Sequence, residues 1–460
     1  MKKIYLLIAT MLFGMNCTMQ AQTENEVIVT NQEGEQEVIE LPEGMTLGLD
    51  TLLNQYNAKR YLQRDTSCNY RNVNPVYSKE VYIERLSKLP NIIEMPYNEV
   101  VRGVIDRYAG RFRNSVSYML GASNFYMPIF EQALEEYGLP LELKYLPVIE
   151  SALNPSAVSR AGAAGLWQFM ITTGKQYGLE VNTIVDERRD PIKASYAAAR
   201  YLSDLYRIFR DWNLVIAAYN CGPDNINKAI HRADGETDYW KIYPYLPRET
   251  RGYVPAFIAA NYIMNYYCEH NICPMMTRLP AKSDTVMVHR NVHMEQIAAV
   301  CQLDLDMLRA LNPQYRQNIV NGNTKPSILR LPNDAVNLFI DNEDSIYAYN
   351  VEKYLGRRAE VDIVEDMAQN IRPARTSVSP RGKRAAVERD RKAGRHGRDR
   401  DRNRRGRHRR GGGGEQSVTV KSGQTLSQIA KKNHTTVEKL RRLNGIKGSN
   451  IRAGKKLKVK

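Results

Sequence analysis

Residues 145–170 read YLPVIESALNPSAVSRAGAAGLWQFM, and the fold turns on how this stretch is read. As a helix, Leu143, Leu146, Glu150 and Leu153 recur at i, i+3, i+7 and i+10, on one stripe. An apolar stripe marks the face of a helix that packs on a core. Glu150 is therefore a carboxylate standing where an apolar residue is expected. Desolvation raises a carboxyl pKa. A carboxylic acid still protonated near neutral pH can pass its proton to a leaving oxygen. The competing reading is a core Glu paired with a nearby Lys or Arg, since structural ion pairs also perturb pKa. The stripe alone leaves both open.

The flanking residues add detail. Asn154-Pro155-Ser156 has turn composition, and the small residues 161–165 permit close backbone approach. Trp167 and Phe169 bracket Gln168, an amide between two apolar surfaces, which suits a sugar with apolar faces and polar edges. AYNCGP at 218–223 ends an apolar run with Tyr219 and Asn220 at a turn. LPRETRGYVP at 246–255 is another dense motif and contains Tyr253. Each of these, taken singly, also reads as a turn or a core aromatic.

In this order, Glu150-Ser151, GLWQF at 165–169, AYNCGP and LPRETRGYVP resemble the successive motifs of the soluble-lytic-transglycosylase domain, a relative of goose-type lysozyme. The last motif, with DERRDP at 186–191, points to the membrane-bound lytic murein transglycosylase D branch. Cys221 stands where that family usually has Ala or Ser. The resemblance implies a mainly α, lysozyme-like helical catalytic domain over residues 95–275. It implies cleavage of the β-1,4 bond between N-acetylmuramic acid and N-acetylglucosamine, with a 1,6-anhydro product, no cofactor and no metal. It makes Glu150 the catalytic acid and then base. Ser151 and Tyr253 would hold Glu150 or the acetamido group, and Gln168, Tyr219 and Asn220 would line the sugar subsites. A single carboxylate is expected to serve, where most glycosidases use two. The rivals are a lysozyme-like hydrolase and a noncatalytic wall-binding scaffold.

An internal repeat follows. Residues 286–312 (VMVHRNVHMEQIAAVCQLDLDMLRALN) align with 418–444 (VTVKSGQTLSQIAKKNHTTVEKLRRLN) at a constant offset of 132. Both copies read as strand, helix, short helix and closing strand, the last over 328–331 and 456–459. The second copy, within 415–460, is similar to LysM domains, small α/β modules of βααβ order that bind N-acetylglucosamine polymers, and keeps that family's Gly423-Gln424-Thr425 turn. The first, over 284–333, has Asn291-Val292-His293 there and reads as a degenerate LysM-like domain. Residues 334–374 read as a linker.

The chain of 460 residues is 43% hydrophobic and carries +16. That length predicts about three domains. Residues 375–410 carry a net +12 and 415–460 a net +10, so 1–374 is negative by six. The basicity belongs to the tail and says nothing of the Glu150 domain. Residues 375–414 are Arg- and Gly-rich, nearly devoid of apolar side chains, and expected to be disordered. The run lacks interleaved aromatics for base stacking, so nucleic acid is not the expected partner. Anionic envelope polymers or lipids are, with a plain solvated spacer as the alternative. Residues 1–21 read as a signal peptide, with lipidation at Cys17 as its rival, which implies export to the periplasm, with the outer membrane or cell wall as a further association. Residues 22–94 read as an N-terminal arm that wraps the catalytic domain or stays flexible. Five Cys remain after the signal, an odd number; Cys268 and Cys273 are near enough for a local bridge or are two buried thiols. His289 and His293 lack a third ligand and read as surface residues.

Overall fold

The computed structural model describes residues 26–30, 36–46, 52, 62–90, 92–277, 279–280, 282–356, 417–420, 426–433, 435–444, 446 and 456–459. The proposed signal, the basic segment 375–414 and the Gly423-Gln424-Thr425 turn lie outside these residues. Two compact units divide the chain, Met1–Thr376 and Ser377–Lys460.

The first unit is mainly helical. Its helices are α1 (Lys79–Lys88), α2 (Glu99–Ala109), α3 (Arg113–Glu136), α4 (Leu146–Ser151), α5 (Ile171–Gln176), α6 (Pro191–Phe209), α7 (Trp212–Cys221), α8 (Pro223–Arg232), α9 (Tyr239–Ile242), α10 (Arg248–Arg251) and α11 (Tyr253–Asn265). α11 is apolar all round and buried from Tyr253 to Met264, so it forms the centre of the core. α2, α7 and α4 pack on it, and α3 and α7 flank α6. Polar caps set the ends. The Asn98 side chain accepts from Val101 N, Asp190 from Ile192 N and Lys193 N, and Asp211 from Leu214 N. Pro191 follows Asp190 at the first helical position, where a missing N–H costs nothing.

The 143–153 stripe is not one helix. A 3-10 turn spans Leu141–Tyr145, α4 runs only to Ser151, and Ala152 and Leu153 then take φ of 50° and 57°. Leu153 still reaches the core, by this reversal rather than by helical spacing.

The N-terminal arm wraps the helical body. Strands β1 (Glu26–Thr30) and β2 (Gln36–Glu40) pair antiparallel, and a 3-10 turn follows at Glu43–Thr46. Val27, Val29, Ile39, Leu41 and Met45 bury into the main core. Arg248 pairs with Glu40 at 3.2 Å and Arg251 with Glu37 at 3.6 Å. Farther along, β3 (Leu62–Arg64) pairs with β4 (Met275–Thr277), and a Cys68–Cys273 disulfide joins the same two segments. The local Cys268–Cys273 bridge is therefore absent; Cys268 is an exposed thiol and Cys221 and Cys301 are also free. The arm's own periodicity is weak because its partners come from the far end of the domain.

The first repeat keeps the expected strand, helix, helix and closing strand and adds a second strand pair: β5 (Ser283–Val288), β6 (Asn291–His293), α12 (Met294–Cys301), α13 (Leu305–Leu311), β7 (Ile319–Asn321) and β8 (Ser327–Pro332), with β5 antiparallel to β8 and the unexpected β6 to β7. His293 is buried rather than superficial: its ring nitrogen accepts from Glu295 N in a capping box with Gln296. The module does not stop at 333. α14 (Asn333–Asp341) and α15 (Glu343–Ala348) place Ala335, Phe339, Ile346 and Tyr347 in its core, and α16 (Val351–Leu355) follows. These residues read as linker because the alignment of the two copies, 286–312 with 418–444, does not reach them.

The second unit contains β9 (Ser417–Thr419), α17 (Leu426–Lys432), α18 (Val437–Asn444) and β10 (Lys456–Lys458). β9 and β10 pair antiparallel, and Val420, Leu426, Ile429, Leu440, Leu457 and Val459 form a core of its own.

Candidate active site

Glu150 stands on the last turn of α4, at the wall of a cavity of about 1030 Å³. Its carboxyl keeps contact with the cavity but is otherwise enclosed by protein. That enclosure raises its pKa from the ordinary 4.5 to about 7, against the opposing hydrogen bond from Tyr253. The Tyr253 hydroxyl donates to Glu150 Oε1 from the first residue of α11. Among the described residues no Lys or Arg pairs with Glu150, so the core ion-pair reading fails for want of a cation.

Strained backbone surrounds this group. Ala152, Leu153 and Gln168 hold positive φ without being glycine, at a cost of roughly 1–2 kcal/mol each. Gly44, from the N-terminal arm, lies against the Glu150 backbone so closely that a Cβ there would sit 2.4 Å from its carbonyl carbon. The arm thus buttresses the residue that carries the acid.

The other expected residues divide into two groups. Gln168, Tyr219, Asn220 and Tyr253 line the cavity with Glu150. Gln168 donates through Nε2 to Gly165 O at 2.8 Å, the Tyr219 hydroxyl to Trp167 O at 2.8 Å, and Thr250 Oγ1 to Asn220 Oδ1 at 3.0 Å. Ser151 differs. It is fully buried, its hydroxyl lies 3.0 Å from Pro147 O and 2.9 Å from Leu166 O, and it does not line the cavity. It ties α4 to the 165–169 turn. Trp167 also differs: it is fully buried, edge-on to Phe130, with Nε1 donating to Ser195 Oγ at 2.9 Å. Of the two aromatics around Gln168, only Phe169 reaches the cavity.

Several lining residues were not legible in the sequence. Tyr201, from α6, stacks obliquely on Tyr219. Arg160 and Glu43 face each other, Nε to Oε1 at 3.6 Å, one from the turn-rich loop and the other from the arm. Glu150 is also not the cavity's only carboxylate: Glu26, Glu40, Glu43 and Glu249 line it too, Glu249 from within the 246–255 motif. Glu43 and Glu249 are exposed, unlike the Glu150 carboxyl. Among the described residues no three His, Cys, Asp or Glu side chains converge to hold a metal ion.

Residues 127–242 match the family model of the transglycosylase SLT domain, 282–348 that of the lytic transglycosylase MltD LysM-like domain, and 418–460 that of the LysM domain. Over 216 residues the chain is 32% identical to the membrane-bound lytic murein transglycosylase D of Escherichia coli K12, an overlap of 45% of this chain and 46% of that one. Over 124 residues it is 30% identical to the soluble lytic murein transglycosylase of the same strain, 26% of this chain and 19% of that one. The chain thus spans about half the length of the D-type relative. The crystal structure of the 70 kDa soluble lytic transglycosylase of E. coli overlaps 38% of this chain and 29% of its own, with 23% identity and a TM-score of 0.29.

Proposed function

We propose that this chain, which carries a transglycosylase SLT domain ahead of two LysM-type modules, is a peptidoglycan lytic transglycosylase. Its bond is the β-1,4 link between N-acetylmuramic acid and N-acetylglucosamine. The observation that carries this reading is Glu150, an enclosed carboxyl of pKa about 7 at the wall of a cavity of about 1030 Å³. That volume is at the upper end of ligand-pocket sizes and accommodates more than one sugar ring.

The chemistry follows from the protonation state. Near neutral pH a large fraction of Glu150 is the acid, and it protonates the glycosidic oxygen as the bond to C1 breaks. The acetamido group of the muramyl sugar assists, in place of a protein nucleophile. Glu150, now a carboxylate and steadied by the Tyr253 hydroxyl, takes the proton of the sugar's own 6-hydroxyl as that oxygen closes on C1. The proton count balances, no water is consumed, and Glu150 returns to its acid form. Gln168, Tyr219 and Asn220 line the subsites. Ser151 acts one step back, by fixing α4 against the 165–169 turn.

One observation supports the hydrolase reading as a second: Glu43 and Glu249 stand at the cavity wall, where a carboxylate would activate water. Mass spectrometry of sugars released from purified peptidoglycan separates the two. Anhydromuramic ends, lighter by one water, are expected. Reducing ends as the main product make the enzyme a hydrolase, and no release with binding retained makes it a scaffold.

The substrate implies an envelope location, which the reading of residues 1–21 as a signal supports. Among the described residues no helix is long and apolar enough to cross a membrane. The 418–460 module is proposed to bind the glycan and the basic segment to attract anionic envelope polymers.

A further inference from the structure

The LysM-like module and the helical body share a junction. Ile184 and Val185, from the loop before α6, are buried in the module's core beside Val288, Met294 and Leu329. Backbone bonds join the same places: Asp186 N donates to Gln314 O at 2.8 Å, and Arg316 N to Ile184 O at 2.8 Å. Val185 and Tyr315 form an antiparallel bridge. Lys325 pairs with Glu180, and its Nζ lies 3.9 Å from Glu187. The module is also tied together internally. Gln296 Nε2 donates to Tyr349 O at 2.7 Å, and Arg290 lies over the Tyr347 ring at 4.4 Å.

The docked loop packs against the segment 162–169, which carries the cavity-lining Gln168. Asp186 grips Arg188 with both oxygens, Oδ1 to Nε and Oδ2 to Nη2, each at 2.8 Å, and both side chains are buried. Arg188 Nη1 then donates to Gly162 O and to Phe169 O, both at 3.0 Å. These carbonyls bracket the loop that carries Gln168. A Cβ at Gly165 would fall 1.7 Å from Arg188 O, so the loop and the Arg188 backbone are in direct contact. A planar guanidinium held bidentately on one side and spent on two carbonyls on the other is a rigid connector.

We infer that the 282–348 module is a brace for the catalytic cleft: it docks on the helical body through residues 180–187 and sets the position of the Gln168 loop through Asp186 and Arg188. Asp186 and Arg188 are positioning residues. The kinetic part of the inference rests on the function proposed above, and the docking part does not.

The test uses the full chain. Lys325→Glu sets like charges against Glu180 and Glu187 across the junction, and Glu180→Lys in that background restores attraction. Ile184→Asp forces a carboxylate into the module's core and opens the junction more strongly. Amide hydrogen exchange at 184–186 and 314–316 reports whether the junction opens, and exchange at 162–169 whether the loop loosens with it. Loosening of both segments is expected. The catalytic efficiency on a short soluble glycan should fall on the order of tenfold, mainly through KM, with the pH dependence of kcat unchanged. The Glu180→Lys partner should recover both readouts in the Lys325→Glu background. An open junction with unchanged exchange at 162–169 overturns the brace, and so does a junction that stays protected in both variants. If exchange behaves as expected but the wild type releases no anhydro sugar, the proposed activity fails and the brace stands.

Discussion

Glu150 titrates near neutrality because protein encloses its carboxyl and the described residues supply one hydroxyl and no cation. The sign of its effect on stability follows. The folded pKa of about 7 lies above the ordinary 4.5, so between those values the native state holds more protons than the unfolded one. Stability contributed at this site therefore falls as pH rises from 4.5 to 7 and stays low above that. Glu150→Gln removes the titration. Its melting temperature should exceed that of the wild type at pH 8 and approach it at pH 5, with a gain at pH 8 of about 1–3 kcal/mol. Turnover should drop by several orders of magnitude. A calorimetric pair of scans and a rate measurement check both, and equal stability difference at the two pH values would mean that Glu150 is ordinary. In the wild type, kcat/KM should decline on the alkaline side with an apparent pKa about 7, since the free enzyme must start protonated. Tyr253→Phe tests the partner. Its hydroxyl favours the charged carboxylate, so its loss moves the alkaline limb upward in pH. A limb that stays in place or moves down shows that Tyr253 does not tune the acid.

At the level of elements, the acid depends on contacts made by the chain's distant N-terminal arm. The 3-10 turn at Glu43–Thr46 sits on the end of α4, and Gly44 leaves no room for a side chain against Glu150. Gly44→Ala must push either the turn or the Glu150 carbonyl aside. A destabilisation of about 1–3 kcal/mol is expected, from overpacking. Unlike a distant core variant of equal cost, it should also lower kcat with little change in KM, because the displaced atom belongs to the residue that carries the proton. Steady-state kinetics at a temperature where the variant remains folded decides this; unaltered kcat would reduce the arm to packing. The same scale explains where the sequence misled. The stripe 143–153 has helical spacing, yet the helix ends at Ser151 because two successive left-handed residues reverse the chain. Trp167 and Phe169 look equivalent beside Gln168. The positive φ at Gln168 sends them to different surroundings, the core and the cavity.

Across the whole molecule, the described residues between 417 and 459 hold a core separate from that of the first unit. Deleting 375–460 should therefore leave the rate on small soluble glycans unchanged. Binding to intact sacculi should weaken, since a tethered second module raises the effective concentration of the cleft on the polymer. A charge-dependent part of that loss should vanish at high salt, and a sugar-binding part should persist. Sedimentation with sacculi at two salt concentrations measures each. Full binding by the truncated chain at both would leave the tail a solvated spacer.

The sequence by itself determined the helical body, the βααβ repeat and the identity of the buried acid. These are written in local spacing: a carboxylate among leucines, four motifs in order, and a constant offset of 132. Only the tertiary structure decided that Ser151 and Trp167 are buried, that Cys68 pairs with Cys273, that Glu43 and Arg160 line the cleft, and that Gly44 packs on the Glu150 backbone. The reason is separation along the chain. Glu43 lies 117 residues from Arg160 and Cys68 lies 205 from Cys273. No periodicity within either segment encodes a partner so far away, and only packing brings them together.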